Sequence, residues 1–374
     1  MQRPLGAQIS HMLRARGVEV IFGIPGVHNQ ELYRGIEEAG IAHVLARHEQ
    51  GAGFMADGYA RATGKPGVAY VITGPGLCNI MTPMGQAYSD SVPMLVISSC
   101  LDDVAATKGQ LHQMRDQRAA AETVCDWSEQ AVDADAAYRL IDRALLEFKT
   151  GRARPKHVQV PIAQLQAMAD APPAEVPEVV VGQRGASASA VARIVKALKS
   201  ARRPLLVLGG GATDGEVPYG TLADRAGAGV FCTYAARGIM PPDHPLYFGS
   251  TLARPDSVRV LKQADLILAV GTELSQVDLW RNDLGHDCPM IRVDIDASQM
   301  IGESMAGDLH ILGDACPIMQ AVCDGLEGHV PQTAWRAGDV AAARAQWRRD
   351  VDAERPGILP VCDALREVLS PETM

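Results

Sequence analysis

Residues 47–79 read RHEQGAGFMADGYARATGKPGVAYVITGPGLCN, and this stretch decides the fold. Just upstream, Ala42 to Ala46 is a short apolar run, and Glu49 follows it at the start of a helical pattern over 50–63. Val68 to Ile72 is a second apolar run, closed by the turn Thr73-Gly74-Pro75-Gly76 before another helical pattern at 77–90. Short apolar strands separated by helices imply a parallel sheet, because a crossover helix is what returns the chain to the same edge. Such sheets bind ligands beyond the carboxyl ends of their strands. Glu49 and the 73–76 turn are therefore expected in one pocket, with the Glu49 carboxyl group buried in it.

The same alternation continues on both sides. Val18 to Gly23 reads as a strand, Gly23-Ile24-Pro25-Gly26 as a turn and Asn29 to Glu38 as a helix, with further strands at Met94 to Ser98 and Val158 to Pro161. The N-terminal MQRPLGAQISHMLRARG has amphipathic helical spacing without the apolar centre of a signal segment. Ala169 to Gly185, containing PPAEVPEV, is Pro-rich and aperiodic and reads as a linker. A second alternating unit follows, with a helix at Ala188 to Ser200 and strands at Pro204 to Leu208, Ala264 to Gly271 and Met290 to Ile295. The residues from about Pro331 are Ala/Arg-rich, and Leu359 to Leu369 reads as a last helix. The expected organisation is a domain over 1–170, a linker over 171–186, a second domain over 187–328 and a tail over 329–374. Both domains are expected to be α/β, each a doubly wound parallel sheet.

The 374 residues suffice for two cores, and 47% hydrophobic with 21% charged residues is an ordinary globular balance. A net charge of −9 without any dense basic run argues against a nucleic-acid partner. No run approaches the roughly 18 apolar residues of a membrane-spanning helix. The eight cysteines are scattered without a CxxC pair, which reads as free buried thiols in the reducing cytoplasm.

Two Pro-Gly turns at strand ends, Gly23-Ile24-Pro25-Gly26 and Thr73-Gly74-Pro75-Gly76, with one acid between them are the chemical signature of the first domain. Glycine lets a backbone approach a planar ring closely. His28, just after the first turn, and His112, in the loop after the Met94 to Ser98 strand, are the two candidate imidazoles, since a histidine can carry a proton near neutral pH. Gly209-Gly210-Gly211 after a strand looks like a dinucleotide loop, but Asp214 and Glu216 come too soon to be its ribose-binding acid.

The order His48, Glu49, Ala52, Ala56, Gly58, Tyr59, Ala60, Arg61 closely resembles the HE-x-x-A-x-x-x-A-x-G-Y-A-R pattern of thiamine-diphosphate enzymes of the acetolactate synthase and 2-oxo acid decarboxylase family. The segments RPLLVLGGGA, VGTEL and VDIDASQM resemble that family's middle domain. The resemblance implies a pyrimidine-binding domain followed by a Rossmann-like middle domain, with thiamine diphosphate as cofactor. It implies that Glu49 hydrogen-bonds N1′ of the aminopyrimidine, so that a shared proton prepares the cofactor to attack a carbonyl carbon. By the same resemblance Pro75, Gly76 and Asn79 lie against the pyrimidine, and the loop at Pro25, Gly26 and Val27 faces substrate with Gln113. It also implies that Pro25, Gly26 and Thr73 count as cofactor-binding, and that His112 and His28 serve the reacting carbon. The phrase LHQMRDQR (111–118) resembles a subgroup that acts on 5-guanidino-2-oxopentanoate.

The family holds the diphosphate and Mg²⁺ on a third domain through a G-D-G motif and a later asparagine. Here Gly313-Asp314-Ala315 lacks the last glycine, and no asparagine follows Asn282. Mg²⁺ is therefore expected from a missing domain or a partner chain, in a homodimer, a homotetramer or a complex with a diphosphate-domain chain. Acetolactate synthases carry FAD on the middle domain and most related decarboxylases carry nothing there, so FAD is a possible second cofactor. The expected function is decarboxylation of a 2-oxo acid, followed by protonation or by ligation to a second oxo acid. The alternative is an inactive paralogue or assembly module. An oxidoreductase reading rests on the glycine loop alone.

Overall fold

The computed structural model describes residues 1–102, 109–173, 185–213, 215–301 and 305–370. The chain divides into two compact units, Met1–Val181 and Gly182–Met374.

The first unit runs β1 (Arg3–Pro4), α1 (Leu5–Ala15), β2 (Val20–Gly23), α2 (Gln30–Ala39), β3 (Ala42–Leu45), α3 (Glu49–Thr63), β4 (Gly67–Val71), α4 (Pro75–Asp90) and β5 (Met94–Cys100). It continues with α5 (Gln117–Glu122), β6 (Trp127–Gln130), α6 (Ala134–Thr150), β7 (Lys156–Pro161), α7 (Ile162–Gln166) and β8 (Met168–Ala169). β1 pairs antiparallel with β8. The other six strands form a parallel sheet in the order β3-β2-β4-β5-β7-β6. After β2 the chain moves outward to β3, then crosses back to β4 on the other side of β2. The sheet order reverses between β2 and β4, and that reversal opens a crevice at their carboxyl ends.

Alternate residues of the inner strands feed two cores. Val68 and Tyr70 of β4 face one side with Ile9, Met12 and Ile141, while Ala69 and Val71 face the other with Ala52, Ala56, Ile80 and Met84. The second face is small by composition, which lets α3 and α4 lie close to the sheet. An added Cβ at Gly67 would collide with the Ala56 carbonyl, and one at Gly53 would meet Ile80 and Pro83. Ala42 to Leu45, read as an apolar strand, is exposed along its whole length because β3 is a sheet edge. β6 and α6 escaped the sequence reading, because Trp127-Ser128-Glu129-Gln130 lacks an apolar run.

The second unit contains α8 (Ala188–Ser200), β9 (Pro204–Leu208), α9 (Tyr219–Ala226), β10 (Gly229–Cys232), β11 (Tyr247–Gly249), α10 (Ser257–Leu261) and β12 (Leu266–Val270). α11 (Gln276–Leu279), β13 (Met290–Asp294), β14 (Leu309–Leu312), α12 (Ala315–Gly325), α13 (Ala337–Glu354) and α14 (Ile358–Val368) complete it. Its six parallel strands run β11-β10-β9-β12-β13-β14, with the reversal between β9 and β12. Both units are thus doubly wound α/β sheets, as the sequence implied. The Ala/Arg-rich stretch expected as a tail is helix α13, and it contributes Trp347, 3% exposed, to a core with Phe231 and Phe248. Of the expected linker, 174–184 lies outside the described residues. No helix among the described residues is long and apolar enough to cross a membrane. All eight cysteines are free, but Cys78 and Cys362 are exposed, against the expectation that all are buried.

Candidate active site

Glu49 is the first residue of α3, where the chain has just left the edge strand β3. His48 caps the helix, its Nδ1 accepting from the Gln50 amide at 3.1 Å. A carboxylate in a first helical turn is favoured by the helix dipole. On the neighbouring helix, Asn79 donates from Nδ2 to Glu49 Oε2 at 2.8 Å. The other carboxylate oxygen, Oε1, lies 3.4 Å from where a Cβ on Gly76 would stand. Glu49 is half-buried rather than buried, because it sits on the open rim beside an edge strand.

The α3–α4 contact fixes this pair. Gly53 leaves room for the ring of Pro83, and Arg61 bridges Asp57 (2.6 Å) on α3 to Asp90 (2.7 Å) at the end of α4. Pro83 lies inside α4 and has no N–H to give the carbonyl four residues back, which is that of Asn79. The helix is therefore loosened at the residue that holds Glu49.

The two Pro-Gly turns flank the crevice, and most of their glycines are explained by contacts within the chain. A Cβ at Gly23 would collide with the Tyr70 carbonyl and the Tyr33 hydroxyl, one at Gly26 with Ile72. Gly74 has φ 66° and ψ −107°, and a Cβ there would strike the carbonyl of His112. Gly76 differs, since its missing Cβ also borders Glu49. Pro75 opens α4 at a position where its missing N–H costs nothing. Asn29, fully buried, folds back to accept the Gly26 amide at 2.7 Å and so holds the Pro25–Val27 loop, with Val27 58% exposed.

His28 and His112 meet at the crevice with ring centroids 5.5 Å apart and planes at 70°. The Nδ1 atoms of both rings are shielded from solvent and have no partner among the described residues. Burial, with the neighbouring His112, lowers the His28 pKa below its ordinary value, and Asp102 opposes the shift. His112 has φ 62°, a left-handed conformation that an L residue adopts at a cost. Gln113 lies beside it, its Oε1 accepting the Gln110 amide at 3.1 Å.

Sequence reasoning missed the polar layer beneath the crevice. Thr73 donates from both its amide (3.1 Å) and its hydroxyl (2.9 Å) to Ser99 Oγ. Gln117 accepts the Gly74 amide at 2.8 Å. His157, fully buried, is bonded through Nε2 to Ser98 Oγ (2.8 Å) and through Nδ1 to Ser128 Oγ (2.7 Å), and burial lowers its pKa to about 3. The signal was present: strands covered on both faces read as apolar runs, and KHVQVP (156–161) breaks that rule at His157 and Gln159.

In the second unit the glycine-rich loop is accounted for by internal contacts. A Cβ at Gly209 would meet the Gly271 carbonyl and Thr272, and one at Gly211 would stand 3.0 Å from Gly271 Cα, so these glycines serve a close approach of two loops. Asp314, of the partial G-D-G match, caps α12 by accepting the Cys316 amide at 3.1 Å. Among the described residues no group of three or more His, Cys, Asp or Glu could hold a metal ion.

The arrangement fits one half of thiamine diphosphate. A half-exposed carboxylate steadied by an amide, a Cβ-free wall beside it and two imidazoles with unsatisfied nitrogens suit an aminopyrimidine and its substrate. The model described as "Thiamine pyrophosphate enzyme, N-terminal TPP binding domain" matches residues 3–120, and "Thiamine pyrophosphate enzyme, central domain" matches 191–322. The chain belongs to the thiamine pyrophosphate enzymes. It is 41% identical over 349 residues to a probable 2-ketoarginine decarboxylase, AruI, of Pseudomonas aeruginosa, covering 92% of this chain. It is 30% identical over 347 residues to an acetolactate synthase of Mycobacterium bovis and 26% identical over 377 residues to the large subunit of acetolactate synthase isozyme 1 of Escherichia coli, covering 89% and 97% of this chain. It spans 62%, 55% and 64% of these relatives' own lengths.

Proposed function

We propose that the first unit supplies the aminopyrimidine side of a thiamine-diphosphate site in an enzyme that decarboxylates a 2-oxo acid. The observation that carries the proposal is the Glu49 carboxylate, held by Asn79 at 2.8 Å beside the bare Gly76 at the carboxyl end of the sheet. When bound, the thiazolium ring supplies the electron sink for decarboxylation. Glu49 holds a proton at the pyrimidine N1′, and its half-buried rim position lets the cofactor reach it. Pro25, Gly26, Thr73, Pro75, Gly76 and Asn79 line the cofactor, while Val27 and Gln113 face the substrate. The His112–His28 pair receives or returns a proton at the reacting carbon or holds the substrate carboxylate. The higher identity to the 2-ketoarginine decarboxylase, 41% against 30% and 26%, favours protonation over ligation and a guanidino oxo acid as substrate.

The diphosphate and Mg²⁺ are assigned to a diphosphate-binding domain, on this polypeptide or a partner. The exposed Leu45 at the end of β3 and Phe54 and Met55 of α3 suit a partner surface, so a homodimer or homotetramer is proposed. FAD is left outside the proposal, since internal contacts account for the Gly209–Gly211 loop. The eight free thiols suit the cytoplasm. The pyrimidine-binding and Rossmann-like domains are proposed at 1–170 and 187–328, with α13 packed onto the core of the second.

Glu49→Gln in the enzyme assembled with a diphosphate-binding domain tests the proposal. The variant keeps the shape and loses the shared proton, so turnover falls by roughly 100-fold or more. Near-normal turnover refutes the role of Glu49.

A further inference from the structure

We propose that Gln117 is a positioning residue that sets the Thr73–Gly76 turn and, through it, His112. Gln117 is 4% exposed and opens α5. Its Oε1 accepts the Gly74 amide at 2.8 Å. Its Nε2 lies within hydrogen-bond distance of Ser98 Oγ (3.1 Å), the Ser99 carbonyl (2.9 Å) and Gln159 Oε1 (3.2 Å). A flipped amide would set NH₂ against the Gly74 N–H and oxygen against the Ser99 carbonyl, so backbone chemistry fixes its orientation. One side chain thereby ties the loop after β4 to the ends of β5 and β7.

Gly74 is the point of leverage. Its φ of 66° and ψ of −107° suit glycine alone, and the His112 carbonyl occupies the space a Cβ would need. His112 is itself held at φ 62°. A strained residue such as His112 persists only where the surroundings over-determine it, and here it packs against the Gly74 turn. Gln117 is a buried group that holds the Gly74 amide, and it follows His112 by five positions on the same connection. Releasing that amide frees the turn to relax, moving Pro75 and Gly76 relative to Glu49 and letting His112 leave its left-handed conformation.

The inference rests on reading this crevice as the cofactor face, yet its test needs no cofactor. The test uses two variants of the full chain, Gln117→Met and Gln117→Glu, followed by amide hydrogen exchange at Gly74 and by the ¹⁵N ring signals of His112 and His28. Gln117→Met fills the space without polar atoms, so Gly74 exchange should rise roughly tenfold or more. The His112 ring signals should move as well, while amides of β9 and β12 in the second unit stay unchanged. Gln117→Glu gives a second reading if Gln117→Met does not fold. As a neutral acid it keeps one donor and one acceptor, and as a carboxylate it faces the Ser99 carbonyl and Gln159 Oε1 with none. Gly74 protection in this variant should therefore fall as pH rises. A folded variant whose Gly74 exchange and His112 signals match the wild type at every pH overturns the inference. Uniform loss of protection across the first unit, with no local excess at Gly74, also overturns it, because that is what a purely structural glutamine would give.

Discussion

Gly53 and its two fellow glycines in α3 give opposite signs to one substitution. In an exposed helix interior, Gly→Ala stabilises by about 0.8–1 kcal/mol. Gly51 and Gly58 have nothing within 4 Å of an added Cβ, so each should show that gain. At Gly53 the new methyl would collide with Pro83 Cγ and stand 2.8 Å from Ile80 Cγ1 and from Pro83 Cβ. Ordinary carbon contacts lie at about 3.5–4.0 Å, so the helices must separate by roughly an ångström or more. The proline ring cannot rotate away. Overpacking of this kind costs about 1–3 kcal/mol, which outweighs the helix gain and leaves a net loss of about 1–2 kcal/mol. The assay is urea unfolding at low chain concentration, followed by Trp127, which is the tryptophan of the first unit. With a slope of about 2 kcal/mol per M, the Gly53→Ala midpoint should fall by roughly 0.5–1 M while Gly51→Ala and Gly58→Ala rise. The same separation carries Glu49 away from Asn79. A Gly53→Ala midpoint at or above wild type refutes the reasoning, as does a Gly51→Ala loss equal to that of Gly53→Ala.

Other outcomes follow from single residues. His157 is held near a pKa of about 3, against about 6.5 when unfolded. The unfolded chain then binds the extra proton between these values, so stability falls as pH drops through that window, by up to about 1.4 kcal/mol per pH unit; His157→Gln should flatten this slope in urea midpoints measured at pH 7 and pH 5. Trp347→Ala should cost about 3–5 kcal/mol in the transition of the second unit and leave that of the first in place, which calorimetry can separate. Thiamine diphosphate with Mg²⁺ should give no micromolar binding isotherm with this chain, because the described residues offer no metal cluster; a micromolar constant would reveal a phosphate site. Light scattering at micromolar chain should show a dimer or larger species if the exposed Phe54 and Met55 are partner contacts, and a clean monomer would count against that surface.

Local pattern alone carried the βα alternation, because a strand buried on both faces needs an unbroken apolar run. Pro204–Leu208 and the helix Ala188–Ser200 have the bounds their periodicity implied. Glu49 was legible for a similar reason: a helix start after a strand end is a local feature, and the surrounding motif is contiguous. Contacts across the fold were not. The Asn79–Glu49 bond spans thirty positions, and the Gln117 clamp joins three strand ends whose proximity exists only after the sheet order β3-β2-β4-β5-β7-β6 has formed. Sequence read the turn glycines for the close approach of a ligand, and packing gives Gly23, Gly26 and Gly74 a second use, bringing the chain against itself. Glu49 was expected to be buried, and only the position of β3 at the sheet edge leaves it half-open. Residue types and their local order determine which groups are available for chemistry. Which of them share a crevice, and which atoms stay free to meet a ligand, is set by strand order and close packing, both properties of the whole fold.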